Sequence, residues 1–321
     1  MNIETIEQLI TDFINHKRFL GFKYIGESRK MKYFCNYLKS LNIIDIKLDD
    51  DTLLPYISQN NSECTRSAFI RYTLIRQFLL YLKERSIDCF VPPIQREIKS
   101  LFVPYIFSHD QIKRLLQSLE DLRLTNNFFK SKSNYPILFR LLYTTGLRIS
   151  EALNITLDCI NLEKNTIKIV NSKYNISRII VITESMKELL TNFIDDNHKN
   201  SSPNTYIFRN GINKQLCPTN INRVFRVMMM KSNIPYLGRS KGPRLHDLRH
   251  TFCCHSLKQM SEKGIDLYVS LPILSVYIGH KNLQATERYV RLTQEFFSDL
   301  LSKTNKFAEN IFPTVWDDDS D

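Results

Sequence analysis

The sequence predicts a mainly α-helical chain with one small antiparallel β-sheet. Apolar residues recur at helical spacing along most of its length, as in Ile3, Ile6, Ile10 and Phe13. The period drops to two only in Thr166-Ile167-Lys168-Ile169-Val170 and in the β-branched run Arg178-Ile179-Ile180-Val181-Ile182. At 321 residues, the chain suits two domains, each with its own core, better than one.

The first helix carries Ile3, Ile6, Ile10 and Phe13 and runs on to Phe19, and Ser28 is read as the cap of a second that carries Met31, Phe34, Cys35 and Leu38. A third carries Leu74, Ile75, Phe78, Leu79 and Leu82, with Arg66, Arg71, Arg76, Lys83 and Arg85 interleaved. An all-helical unit with a basic face follows. Val91-Pro92-Pro93 cannot continue a helix, Pro104 repeats the interruption, and polar Gln95 to Ser100 lies between them. Residues 1–92 are therefore expected to form one domain, 93–104 a linker, and 105–321 a second domain.

Ser108, followed by Asp110, Ile112, Leu115, Leu116 and Leu119, opens a new helix. Another spans Tyr135 to Thr144 and stops at Gly146. The two β runs, with polar Asn171 to Ser177 between them, make a hairpin. Helical patterns resume at Met186 to Phe193, Asn220 to Met230, and from His246 onward. The acidic tail Asp317-Asp318-Asp319-Ser320-Asp321 is expected to be solvated and mobile.

Composition narrows the function classes. The chain is 43% hydrophobic and 24% charged, which excludes fibrous and wholly disordered readings. Its 44 Lys and Arg against 33 Asp and Glu give a net charge of +11, which favours a polyanionic partner without selecting one. Seven scattered cysteines, never spaced CxxC, argue against a disulfide framework or structural zinc and are read as small buried apolar residues. No apolar run approaches the roughly 20 residues a bilayer span needs. The longest, Leu267 to Gly279, contains Pro272, and the N-terminus has acids where a secretory signal has bases, so a cytoplasmic protein is expected.

Four places hold polar residues that packing does not demand. In Thr144-Thr145-Gly146-Leu147-Arg148-Ile149-Ser150-Glu151, an Arg sits at a turn between helices; alone it reads as a solvated charge. Lys173, in the hairpin loop, alone reads as soluble surface. In Pro243-Arg244-Leu245-His246-Asp247-Leu248-Arg249-His250, the proline marks a helix start, and His246 and Arg249 share a face of its first turn, where backbone N–H groups suit a phosphate. His255, further along, is read as a satisfied core histidine beside Leu248 and Phe252. Lastly, Ile278-Gly279-His280 precedes Tyr289, which basic residues flank.

Together these are Arg148, Lys173, His246, Arg249, His280 and Tyr289. Two arginines can grip a phosphodiester, histidines can share protons, a lysine can protonate a leaving oxygen, and a phenol can attack phosphorus. No acidic cluster points to metal ligands, so neither a metal nor a cofactor is expected, and charge at phosphorus would be met by cations of the protein.

The sequence resembles the tyrosine recombinase (phage integrase) family. TGLRISEAL at 145–153, HDLRHTF at 246–252 and YIGHKNLQATERYV at 277–290 match its three signature boxes in order, and VNSKYNISRIIVI at 170–182 fits the place of its lysine. The resemblance covers the C-terminal two-thirds and implies a helical core-binding (SAM-like) DNA-binding domain followed by an α+β catalytic recombinase domain with a C-terminal docking helix. It implies that Arg148, Lys173, His246, Arg249 and His280 are the catalytic residues, Tyr289 the nucleophile, and Glu151 an acidic support for the first arginine. One departure stands out: Arg249 and His280 are 31 residues apart, more than in compact members, with the extra length around Ser261 to Pro272, expected as a lengthened helix connection. No additional N-terminal arm-binding domain is expected, the helical unit beginning almost at Met1.

The chemistry implied is attack by Tyr289 on a DNA phosphodiester, giving a 3′-phosphotyrosyl link and a free 5′-hydroxyl, with His246 taking the phenolic proton and Lys173 protonating the 5′ oxygen. Strand exchange implies a tetramer assembled on a double-stranded DNA recombination site, expected as inverted repeats, with accessory DNA-bending or directionality factors. Most contacts would go to phosphates. The segment with Phe296, Phe297, Leu300 and Leu301 would dock on the neighbouring protomer. A mobile-element recombinase in the cytoplasm, associated with the nucleoid, is the reading. The alternatives are a chromosome- or plasmid-dimer resolvase, a type IB topoisomerase-like relaxing enzyme, a catalytically silent DNA-binding protein and, disfavoured by the missing carboxylates, a metal-dependent nuclease.

Overall fold

The computed structural model describes residues 1–58, 63–96, 103–124, 132–170, 177–211, 214–238, 242–280, 289 and 292. The chain divides into two compact units, Met1–Leu101 and Phe102–Asp321.

The first unit contains α1 (Ile3–Phe19), α2 (Ile25–Ser40), α3 (Asp50–Ile57) and α4 (Thr65–Lys83). Asn2 caps α1 by accepting from the Thr5 N–H, and Asp49 caps α3 through Thr52. Ile6, Ile10, Phe13, Met31, Phe34, Leu38, Phe78 and Leu82 meet in one core. Phe13 packs edge-on to Phe78 and Tyr81, with centroids 5.4 and 5.2 Å apart. Cutting any one of Phe13, Phe34 or Phe78 to alanine costs about 3–5 kcal/mol, since each side chain is fully buried.

The first helix runs to Phe19 as expected, though Phe19 itself is 88% exposed, because α1 ends at it and the chain turns away through Gly21 at φ +88°. Two expectations are corrected here. The second helix starts at Ile25, ahead of Ser28. Tyr24, packed on Phe13, takes the left-handed conformation before it, and the Ser28 hydroxyl donates to the Tyr24 carbonyl from inside the first turn. The basic residues on and just after α4 do not form one free face. Arg71 pairs with Glu63 at 2.7 Å, Arg76 donates to the Pro92 carbonyl, and Arg85 lies over the Tyr81 ring. With Tyr72 donating to the Pro93 carbonyl, Arg76 keeps the Pro92-Pro93 strap on this unit.

The second unit contains α5 (His109–Leu124), α6 (Asn134–Thr145), α7 (Ile149–Leu153), a 3₁₀ turn (Leu157–Cys159), β1 (Ile160–Asn161), β2 (Thr166–Ile169), β3 (Arg178–Val181), α8 (Glu184–Asn197), α9 (Pro218–Lys231), α10 (Asp247–Glu262) and α11 (Leu267–Ile278). Ser108 and Gln111 cap α5 reciprocally, each accepting from the other's backbone N–H. The sheet runs β1-β2-β3, all antiparallel, with Ile167 opposite Ile180 and Ile169 opposite Arg178. Ile167, Ile169 and Ile180 point into the core, whereas Ile179 and Val181 are exposed. The main core joins α5, α6, α8, α9 and the inner sheet face, with Phe139 stacked on Phe225. A smaller cluster of Ile106, Cys253, Cys254, Leu257, Leu274 and Ile278 also takes in Tyr289 and Leu292.

The connection from α10 to α11 is short. Residues 261–262 close α10 and 267–272 open α11, so the expected lengthened connection lies mostly in helix, with Pro272 inside α11. All seven cysteines are free, but only Cys35, Cys89, Cys253 and Cys254 are buried. Cys64 and Cys217 are exposed at the starts of α4 and α9, which corrects their reading as buried apolar residues. Among the described residues, no helix is long and apolar enough to cross a membrane, and no group of three or more His, Cys, Asp or Glu residues is placed to hold a metal. The segment from Phe296 to Leu301 and the acidic tail lie outside the described residues.

Candidate functional site

The site begins at Gly146. It ends α6 at φ +61°, and a β-carbon there would lie 2.3 Å from Cδ1 of Phe252 on α10, so only glycine lets the two helices approach. Two residues on, Arg148 precedes α7. Its backbone N–H and its Nη1 both donate to the Glu151 carboxylate, at 2.9 and 2.7 Å, and Nη2 reaches the Gly279 carbonyl at 3.4 Å. One face of the Arg148 guanidinium is thereby fixed by the protein, and 22% of the side chain stays exposed.

Glu151 is the hub. Its carboxylate is 2% exposed and lies beside three guanidinium groups, of Arg148, Arg178 and Arg249 at 2.7, 3.0 and 3.9 Å. Burial alone would raise its pKa. Hydrogen bonds from Arg178 and the Arg148 backbone, with the charges of both arginines, bring it down to about 2 instead. Sequence reading placed Glu151 beside the first arginine and missed Arg178. Arg178 opens β3, donates to Glu151 from Nη1 and Nη2 at 3.1 and 3.0 Å, and donates from Nε to the Tyr277 carbonyl at 2.8 Å. An arginine at a strand end carries no sequence signal that separates it from ordinary surface charge.

Helix α10 supplies the next group. It starts at Asp247 rather than near Pro243, because the Asp247 carboxylate turns back to accept the Arg244 N–H at 2.7 Å and the residues before it form a turn. Arg249 is 2% exposed and donates to two carbonyls, Gly146 at 2.7 Å and Ile278 at 2.8 Å. Those bonds tie the ends of α6 and α11 to one side chain, with Arg148 as a like-charged neighbour that helps lower its pKa after burial. His246 precedes α10 with its residue open to solvent. Partial enclosure of the ring, then the charges of Arg249, Arg148 and Arg244, push its pKa down to about 4. His280, just past α11, is lowered to about 4 by burial and then by Arg249 and Arg148.

Tyr289 completes the group. It is 3% exposed, its ring is stacked on His280 with centroids 6.0 Å apart, and its Oη is 2.9 Å from Nδ1 of His250. Burial foremost, and then the neighbouring Cys253 thiol, raise its pKa well above the ordinary phenol value. His250 was quoted within HDLRH but given no role. The signal was available: it stands four residues after His246 and so on the same helix face, with ring centroids 4.9 Å apart. His255 is a core histidine, paired through Nδ1 with the Tyr143 hydroxyl at 3.0 Å, with its ring tilted against that of His109.

The structure therefore brings Arg148, Glu151, His246, Arg249, His280 and Tyr289 into one region, with the buried phenol on His250 and His280, near Arg249, and packed in the Cys253 cluster. Lys173 lies outside the described residues.

This fold is shared with solved integrase structures. It matches the lambda integrase dimer bound to a COC′ core site at a TM-score of 0.62, covering 86% of this chain and 95% of that one at 17% identity. It matches the lambda integrase tetramer bound to a Holliday junction at 0.61, covering 88% and 76% at 17% identity. The profile of the phage integrase family matches residues 106–295, and the chain belongs to that family, the tyrosine recombinases, which cleave and rejoin DNA through a tyrosine intermediate. Among its relatives, a tyrosine recombinase of Pseudothermotoga lettingae is 27% identical over 319 residues, covering 94% of this chain and 98% of its own. The tyrosine recombinase XerC of Rickettsia canadensis is 28% identical over 302 residues, covering 89% and 93%.

Proposed function

We propose that this protein is a site-specific DNA recombinase that cuts and rejoins double-stranded DNA through a 3′-phosphotyrosyl link at Tyr289. The observation that carries the reading is the convergence of Arg148 and Arg249 on one buried carboxylate, with His280 stacked on the Tyr289 phenol and the Arg249 charge acting on both. Arg148 and Arg249, held from behind by Glu151 and by backbone carbonyls, direct their remaining N–H donors to the non-bridging oxygens of the scissile phosphate. His246 and His280, whose pKa values burial and the neighbouring arginines push down to about 4, donate hydrogen bonds to the same phosphate. Lys173 protonates the departing 5′ oxygen. The phosphoester link is conserved in the covalent intermediate, so a 5′-hydroxyl can reverse the step.

Strand exchange needs active sites on two duplexes, and the assembly proposed is a tetramer on DNA, in keeping with the lambda integrase tetramer on a Holliday junction. The core-binding domain at 1–92 and the catalytic domain at 105–321 would both contact the recombination site, read as inverted repeats, and accessory DNA-bending or directionality factors would set the outcome. The setting proposed is a mobile element in the cytoplasm, acting at the nucleoid.

The test is a library of nicked duplexes of randomised sequence, from which SDS-stable protein–DNA adducts are recovered and sequenced. The native protein is expected to give adducts enriched for one site, and Tyr289→Phe none. Adducts that persist in Tyr289→Phe overturn the assignment.

A further inference from the structure

A buried phenol has to lose its proton as it attacks phosphorus, and two histidines of α10 are available to take it. His246 is held near 4 by enclosure and by the charges of Arg249, Arg148 and Arg244, so a proton arriving there meets three cations. His250 lies one helical turn further on, and its Nδ1 touches the reacting atom, 2.9 Å from the Tyr289 Oη. Its ring packs at 5.5 Å from the Tyr289 ring and edge-on to His246, which places it between the nucleophile and the phosphate-facing histidine. The phenol also packs with Cys253, Leu257, Leu274 and Ile278 and shares a hydrogen bond with the Cys253 thiol, which burial pushes up to about 12, so it stays protonated and cannot take the phenolic proton.

Resting on the reading of Tyr289 as nucleophile, we propose that His250, and not His246, is the catalytic base that takes the phenolic proton. In the step, the Oη–P bond forms, the P–O5′ bond breaks, the phenolic proton passes to His250 Nδ1, and O5′ receives a proton from Lys173. The tautomer required carries its hydrogen on Nε2 and leaves Nδ1 to accept from the phenol. In the reverse step the imidazolium returns the proton to the departing Oη. The positive charge on His250 appears as phosphorus takes on its extra negative charge, which offsets the nearby arginines, and it is held through the covalent intermediate until the reverse step.

The test makes the base dispensable. Tyr289 is replaced by 2,3,5-trifluorotyrosine, whose phenol ionises far more readily, and single-turnover cleavage is measured at saturating concentration of a nicked duplex recovered from the adduct library. With the natural tyrosine, His250→Phe is expected to slow cleavage by about 100-fold, within the range for loss of a general base. With the fluorinated phenol the same substitution is expected to cost less than about 10-fold, while the loss in His246→Phe stays unchanged because a phosphate contact is still missing. A His250→Phe loss of equal size on both nucleophiles, or relief of the His246→Phe loss instead, overturns the proposal. His250→Asn carries the same comparison if the Phe variant does not shift DNA in a gel. The adduct test with Tyr289→Phe reads the nucleophile independently of either histidine.

Discussion

Arg178 and Glu151 form a two-point pair, with both terminal nitrogens of the guanidinium on the carboxylate at 3.1 and 3.0 Å. The same side chain holds the Tyr277 carbonyl and lies so close to Gly279 that a β-carbon there would be 2.8 Å from its Nη1. One residue of β3 thus fixes α7 and the end of α11 together.

Arg178→Met is expected to lower single-turnover cleavage by about 100-fold, the scale of an ångström-sized misplacement of reacting groups. DNA affinity in a gel shift should change little, because Arg178 faces the protein. An equal loss of binding and cleavage would contradict a positioning role.

Glu151→Gln removes the only carboxylate, among the described residues, beside the Arg148–Arg178–Arg249 group at these distances. Leaving buried guanidinium groups uncompensated costs about 3 kcal/mol. Urea unfolding at neutral pH measures it, and a midpoint within error of the native one would contradict the account.

Gly146→Ala introduces a methyl group into the Phe252 ring at a positive φ. The expected cost is about 1–3 kcal/mol. Phe252→Leu should recover part of that loss in the double variant, and a double-mutant cycle without coupling would show that the clash is relieved elsewhere.

His255 is lowered to about 4 by burial and then by His109, against an ordinary value of 6.5. The unfolded chain therefore binds more protons between pH 6.5 and 4, and stability rises with pH through that window. This contribution is present above pH 6.5 and lost on acidification, by on the order of 1–2 kcal/mol at pH 5. His255→Gln should be less stable at pH 8 but lose less between pH 7 and 5. His246 and His280 act in the same direction.

Cys64 and Cys217 are exposed, and hydrogen bonds lower both thiols, from Ser67 at Cys64 and foremost from the Thr219 backbone at Cys217. A thiol reagent should modify these two rapidly in the native protein, with Cys159 slower, and all seven in denaturant. Mass mapping reads the sites.

Much of this was legible before any coordinates. Ser108 and Gln111 announce a capping box, and Gly146 marks the end of a helix because a left-handed C-cap favours glycine. The hairpin register follows from alternation at Ile167, Ile169 and Ile180. Local signals failed where tertiary contact decides. Phe19 continues the apolar spacing yet lies past the last packed turn, and Ser28 looks like a cap although Tyr24, held by Phe13, starts the helix. Strand β1 is two residues long, too short for any period, and α3 and α11 each contain a proline that argues against a helix. Within the site, the arginines and the tyrosine stood in recognisable boxes. Arg178 and His250 did not declare themselves, because what distinguishes them is whom they touch across 27 and 39 residues of chain.

Arg249 anchors two chain ends that lie far apart in sequence, Gly146 and Ile278, while its own helix builds the packing beneath them. Assembly of the cations proposed to grip the phosphate is therefore not a separate event waiting for substrate; it is inseparable from completing the fold of the second unit. A freshly folded subunit already carries its cationic cradle, and restraint against cutting the wrong duplex has to come from elsewhere. In the proposed reaction the 3% exposure of Tyr289 supplies a place for it, since the phosphate has to be admitted to a phenol that the folded unit encloses.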